Sequence, residues 1–518
     1  MEPDEPALPC PADVPWNRWD LLRPMDLEAT SGALSVIIGP PDAMHVEDLL
    51  RGLSEDPGGD FTVEYLVPSG CGADGLEAVR EVDVSSSATA AEYRNAAVDA
   101  AQHDVLLFLM APVEISASFV RHHLRWHASY SDVVVIGLTQ TPTTVSGSGP
   151  ESFRGPDSSG RAELGEGGTS TLGPETAHLL RTRDLTTEHS DLFRYFPVSN
   201  VSLRRRTLVS AGGFTTRVGR LEFRHAFDEV LGYRLFQSGH VFVYDQEAVA
   251  AHPELDVMRR VGVPPEDTRE ILAQHVAHPT FRADGASTAR LTSRWRVTID
   301  AKGSDLRSVR RTLGTVLASA TRDLVVLVDR CEDDVAPYLD VMAQADPRLQ
   351  FPSDQEVQGF ASLWLHLPAG ATIASDTLRL LEQRLEDLSE PVGVLRMTVP
   401  EQPPSEVAAV AVHSRAYNRG HRLRPECPFG SAAALFGQRW LSGLDVGISD
   451  RGDVAETPSS TGAAAARPSP DDGRELWEAL GGIPAEEREQ LLQAGLLVLR
   501  APRWLRRLGI RLARILVR

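Results

Sequence analysis

Apolar positions in the first hundred residues fall into short blocks separated by turns and amphipathic stretches. Leu34-Ser35-Val36-Ile37-Ile38 has the density of a strand buried on both faces, and a Gly-Pro-Pro turn and a helical pattern over 46–53 follow it. A second strand over 61–67, a helix over 90–101 and a third strand over 105–109 continue an alternating β-α-β order. That order predicts an α/β class with a mostly parallel, Rossmann-like sheet and helices on both faces.

The stretch from Asn200 to His252 carries a different pattern. Residues 201–208, running into Ala211-Gly212-Gly213-Phe214, read as a short strand and helical turn closed by a Gly pair, where positive φ is called for. Phe227, Val230, Leu231 and Leu235 then recur at i, i+3, i+4 and i+8, which predicts a helix capped by Gly239 with Asp228 in its first turn. A helix dipole keeps a first-turn carboxylate ionised, which suits a proton acceptor at neutral pH, although acids are common there for stability alone. Val241 and Val243 alternate with Phe242 and Tyr244 as a strand, and a further apolar run ends at His252. A lone strand-end histidine is more often packed or solvated than a ligand.

The frame recurs. Trp295-Arg296-Val297-Thr298-Ile299 repeats the opening strand, 306–317 a helix, 324–328 the second strand and 362–367 the third. Arg296 stands 261 positions after Ser35, Leu324 the same 261 after Val63, and His366 stands 258 after Phe108. A near-constant offset predicts an internal duplication. In this copy the second strand ends at Asp329 and the third runs into Pro368-Ala369-Gly370; the stretch 430–441 is expected to be a remnant helix.

With 518 residues and 42% hydrophobic content, the chain has material for several ordinary cores. The expected organisation is an N-terminal extension over 1–31, an α/β domain over 32–285, a second degenerate copy over 290–449, a flexible linker over 450–474 and a helical tail over 475–518. Residues 139–176, rich in Gly, Ser, Thr and Pro, read as a long mobile loop. Cys10, Cys71, Cys331 and Cys427 show no metal spacing, and no segment is apolar enough for a signal peptide or membrane span, so a reducing cytoplasm is the simplest location. A formal charge of −20 argues against a nucleic-acid partner.

Basic residues concentrate at the end of the chain. Arg500, Arg503, Arg506, Arg507, Arg511, Arg514 and Arg518 accompany Trp504, Leu505, Leu508, Leu512, Ile515 and Leu516 at helical spacing, with no acidic residue among them. Such a helix suits peripheral attachment to the anionic inner face of a membrane, each arginine adding about 1 kcal/mol. Docking on the acidic body of the same chain is the competing outcome.

Gly212-Gly213-Phe214, the acid ahead of Leu231-Gly232-Tyr233-Arg234-Leu235, Gly239 and a strand ending in Ala250-Ala251-His252 resemble the acceptor half of family-2 glycosyltransferases with a GT-A fold, in a galactosyltransferase-like form. The resemblance extends over about 34–252 and includes Arg94-Asn95-Ala96 and Phe108-Leu109. It implies inverting transfer from a nucleotide sugar to a carbohydrate or lipid-linked acceptor, in cell-surface glycan synthesis. Asp228 would be the general base that takes the acceptor's proton, and His252 a metal ligand.

The departures from the family pattern fall on the donor side. Where family members carry a base-binding Asp after the second strand, this chain has Pro68-Ser69-Gly70; where carboxylates hold a divalent metal (Mn or Mg) after the third, it has Met110-Ala111-Pro112. Met, Ala and Pro side chains offer no hard oxygen, so His252 alone would hold such a cation poorly. Either transfer proceeds without a metal, with Arg94, Arg217, Arg220 or Arg224 stabilising the departing diphosphate and Asn95 at the donor side, or the domain has lost donor chemistry. In the second case it would serve as a noncatalytic glycan-binding module or as an assembly partner of an active transferase. Each arginine taken singly is as readily a solvated surface residue.

Overall fold

The computed structural model describes residues 13–39, 60–70, 79–85, 88–110, 113–116, 118–140, 174–216, 224–251, 266–282, 291–329, 335–350, 360–398 and 409–449. All of them belong to one compact unit that ends at Val454. The expected helix over 46–53, Arg217, Arg220, His252, Ala111, Pro112, the linker and the tail, including Arg500–Arg518, lie outside the described residues.

The first half runs β1 (Ser31–Gly39), β2 (Asp60–Pro68), β3 (Val79–Val82), α1 (Ala90–Ala100), β4 (Val105–Met110), β5 (Glu114–Ile115), α2 (Phe119–Ser129), β6 (Val133–Gln140), α3 (Pro174–Thr182), β7 (Asn200–Arg204), α4 (Arg205–Ser210), α5 (Arg224–Gln237), β8 (Val241–Ala251) and α6 (Glu266–His275). Its strands form one sheet in the order β3-β2-β1-β4-β7-β6-β8-β5. β1 is parallel to β2 and β4, and β7 enters antiparallel between β4 and β6. Leu34, Val36, Ile37 and Ile38 are all buried, as a central strand covered on both faces requires.

The second half runs β9 (Trp295–Asp300), α7 (Leu306–Leu317), β10 (Leu324–Asp329), α8 (Ala336–Ala345), β11 (Leu349–Gln350), β12 (Leu363–Pro368), β13 (Thr372–Ile373), α9 (Thr377–Leu385), β14 (Val394–Thr398), β15 (Ala409–His413), α10 (Ser414–Leu423), α11 (Pro428–Phe436), β16 (Gln438–Ser442) and β17 (Ile448–Ser449). Its main sheet has the order β11-β10-β9-β12-β15-β14-β16, with β15 antiparallel to β12 and β14.

Strand for strand, this is the first sheet again. The register agrees as well: Leu34 pairs with Val63 and Val105, and Trp295 pairs with Leu324 and Leu363. Two copies of a mostly parallel, Rossmann-type, GT-A-like α/β frame therefore lie in tandem. The copies differ where β8 crosses a register break between Gly137 and Leu138 of its neighbour, since the second copy divides that strand into β16 and β17. β17 then pairs with β13 as the end of β8 pairs with β5.

Several expectations need correction. The span 139–176 is not loop at its ends: β6 continues to Gln140 and α3 begins at Pro174. The remnant helix expected over 430–441 is α11, which Gly437 stops with φ 74° before β16 begins. α2 is not among the expected elements; its buried face joins Phe119, Val120, Leu124 and Trp126 with His122, His123 and His127.

Candidate functional site

The side chains that the sequence singles out come together at the α1, β4 and α5 side of the first sheet. A capping box starts α1: Thr89 accepts from the Glu92 backbone N–H, and the Glu92 carboxylate accepts from that of Thr89. From this anchored helix Asn95 reaches the Gly-Gly-Phe turn. Its amide donates to Phe214 O at 2.8 Å and its carbonyl accepts from Phe214 N at 3.0 Å. Gly212 and Gly213 have φ of 80° and 63°, and a Cβ on Gly213 would lie 3.1 Å from Asn95 Oδ1. The turn therefore needs glycine for its backbone conformation and is held shut by Asn95.

Phe214 is thereby buried with its ring edge-on to Phe108, 5.3 Å between centroids, and the Arg94 guanidinium lies 5.4 Å above its centroid. Arg94, itself buried, meets Asp228 with Nη1 3.4 Å from Oδ1, while Oδ2 lies 3.4 Å from the Val198 backbone N–H. The Asp228 side chain retains 13% of its accessible surface. It is enclosed by partners and still touches solvent.

The helix carrying Asp228 starts one turn earlier than the apolar stripe suggests. α5 begins at Arg224, so Asp228 belongs to the second turn and the first turn holds no acid. The stripe is counted from its first apolar member, Phe227, whereas a helix can begin with polar residues. The dipole argument for Asp228 weakens accordingly, since that effect fades beyond the first turn. The cation beside Asp228 is Arg94 instead.

Glu229, the next residue, is the group that the sequence reading overlooks. It is buried, Oε2 has no hydrogen-bond partner, and burial pushes its carboxyl up to about 8; Arg194 opposes that shift and Asp228 adds to it. The signal was the position of an acid within a helix whose Val230, Leu231, Tyr233, Leu235 and Phe236 are all buried. Two adjacent carboxyls thus meet different surroundings, the arrangement that separates acid from base roles.

Asn200 shapes the far end of the sheet. Its amide donates to Leu138 O and Ala248 O, and it holds open the irregular middle of β8. A Cβ on Gly137 would fall 2.4 Å from Ala248 O, so only glycine fits. The bulge redirects β8 so that Ala251, the residue before His252, pairs with Glu114. Met110, half-buried, ends β4 where the family's carboxylates would begin.

Among the described residues, one group has metal-ligand proximity: His122, Asp245 and Glu247, on α2 and β8. Arg125 already binds both acids, at 2.7 Å and 3.4 Å, and Trp126 Nε1 donates to Asp245 at 2.8 Å. The guanidinium supplies the positive charge, and the group does not fit a divalent cation. No helix among the described residues is long and apolar enough to cross a membrane.

No protein-family model matches the sequence, and no curated protein matches it. Solved structures with a similar arrangement include a mannosyltransferase, PcManGT from Pyrobaculum calidifontis, in complex with GDP-Man and Mn2+. It has 14% identity over 51% of this chain and 65% of that one, with a TM-score of 0.31. Residues 1–349 of S. aureus TarS in complex with UDP-GlcNAc show 14% identity over 46% and 64% of the two chains, with a TM-score of 0.28. The chain thus spans less than two thirds of either. At this level of likeness the architecture rests on the strand order and register of the chain itself.

Proposed function

We propose that the chain is a glycosyltransferase-like protein of the inverting type that moves a sugar from a nucleotide sugar to a hydroxyl of a carbohydrate or lipid-linked acceptor. Asp228 takes the acceptor's proton as the oxygen attacks the anomeric carbon, and the bond to the nucleoside diphosphate breaks with its electron pair leaving on the phosphate. The observation that carries this is that Arg94, lying over the Phe214 ring, meets the partly open carboxylate of Asp228, which links three separate stretches of the chain.

Donor stabilisation falls to cationic side chains rather than to a metal: Arg94 next to Asp228, with Arg217 and Arg220 as further donor contacts. Asn95 acts by holding the Phe214 turn. The second copy takes no part in chemistry. Its β12 ends in Pro368, with no carboxylate at the strand end.

The alternative is a noncatalytic glycan-binding module or assembly partner. It is favoured by one feature: both oxygens of Asp228 already have partners. Calorimetric titration with nucleoside diphosphates and nucleotide sugars, with and without manganese, separates the two. Metal-independent binding is the expected result, and no binding of any nucleotide leaves only the module. The basic tail is assigned to an anionic membrane surface, where lipid-linked acceptors reside. Vesicles containing phosphatidylserine should float the full chain but not a chain ending at Gly473, and equal flotation overturns that assignment.

A further inference from the structure

The carboxyl end of α5 is built into the second copy. Gln237 O accepts from Asn418 Nδ2 at 2.8 Å, while Arg234, Leu235 and Phe236 carbonyls are satisfied by the chain's own Ser238, His240 and Gly239 amides. Asn418 therefore closes the last carbonyl of the helix, which would otherwise lack a partner in its own turn. At the next position, Arg419 Nε donates to Gly239 O at 2.9 Å and Nη2 lies 3.4 Å from His240 O. Its Nη1 donates to Val14 O at 3.0 Å and to Trp16 O, bringing the N-terminal segment to the same point.

The fit is close as well as polar. A Cβ on Gly239 would sit 2.6 Å from Arg415 O and 3.0 Å from Arg419 N, so the turn after α5 lies directly on the α10 backbone. Arg415 is buried over Phe236 and Trp16, at 4.6 Å and 4.9 Å, and Arg422 pairs with Asp132 and His240. Of the three arginines at helical spacing on α10, Arg419 meets the carbonyls just past the negative end of α5, while Arg415 donates to Glu188 O and lies 3.4 Å from His189 O, and Arg422 turns to Asp132 and His240. On the flank, Tyr233 hydroxyl donates to Phe360 O at 2.7 Å and lies 2.9 Å from Ser362 Oγ at the start of β12.

We propose that the second copy is the seat of α5: Arg419 and Asn418 are positioning residues that fix the helix carrying Asp228 against Arg94. This rests on Asp228 being the base, and it assigns the duplicated half a role that needs no second active site. A chain with a loosened α5 end keeps its sheets and loses the alignment of one carboxylate.

The test uses full-chain Arg419→Gln, Arg419→Lys and Asn418→Ala in hydrogen exchange. Arg419→Gln should speed exchange of amides over 231–240 about 10-fold and Asn418→Ala about 3-fold, with β9 and β12 unchanged. Arg419→Lys, which keeps the charge at the helix end, should recover part of the protection. In turnover, Arg419→Gln should lower kcat about 10-fold at unchanged donor KM. Unchanged exchange over 231–240, or equal acceleration in both sheets, overturns the proposal. Exchange decides it even in a chain without transferase activity, so its failure is distinguishable from failure of the catalytic role of Asp228.

Discussion

At the scale of single residues, two neighbouring carboxyls on α5 make opposite predictions. Asp228→Asn removes the proton acceptor and leaves shape intact, so turnover should fall by about 100-fold or more while donor affinity, read by calorimetry, stays within about 2-fold. Retained turnover would exclude Asp228 as the base. Glu229 governs stability instead. Its carboxyl, at about 8 in the folded chain against 4.5 in its ordinary state, binds a proton on folding. The stability this represents is fully present below pH 4.5 and is lost as pH rises through about 8. Glu229→Gln has no proton to lose, so its melting temperature should gain on the parent's steadily from pH 5 to pH 8.5, by a margin on the order of a few kcal/mol in stability. A constant difference across that range would contradict the assignment.

Elements are held by contacts that local pattern does not contain. Asn95 pairs both the N–H and the C=O of Phe214, and Asn95→Ala should cost about 1–3 kcal/mol in chemical denaturation by leaving them unpaired. Gly137→Ala should cost about 3 kcal/mol or more, because its Cβ would meet Ala248 O and Asn200 at 2.4 Å, with backbone on one side and a buried amide on the other. A tolerated alanine there would mean that β8 can lose its bulge freely. The strands β1, β2, β4, β9, β10 and β12 are legible from apolar blocks alone, since buried parallel strands leave dense runs. α2 and the start of α5 are not. A helix whose inner face mixes histidine with apolar residues, or whose first two residues are Arg224 and His225, carries a weakened periodic apolar signal, and its neighbours decide where it lies. The candidate site was legible as motifs, whereas its geometry was not. Arg94, Asn95, Phe214 and Asp228 can be named from the sequence, but that Asn95 is occupied by a turn and Arg94 by Asp228 depends on how α1 and α5 approach.

Over the whole molecule, duplication is the organising fact, and the shared register of the two sheets is stronger testimony to it than any residue identity. Apolar blocks by themselves determined the α/β class and the helix that carries Asp228, because both follow from short-range periodicity, and the near-constant offset of those blocks pointed to the tandem frames. Tertiary structure alone decided that Glu229 is buried with Oε2 unpaired among the described residues, that Arg125 fills the one metal-like cluster among the described residues, and that α10 closes the end of α5. Those outcomes are set by distances between segments far apart in the chain, where burial and opposing charge, rather than local pattern, choose what each side chain meets.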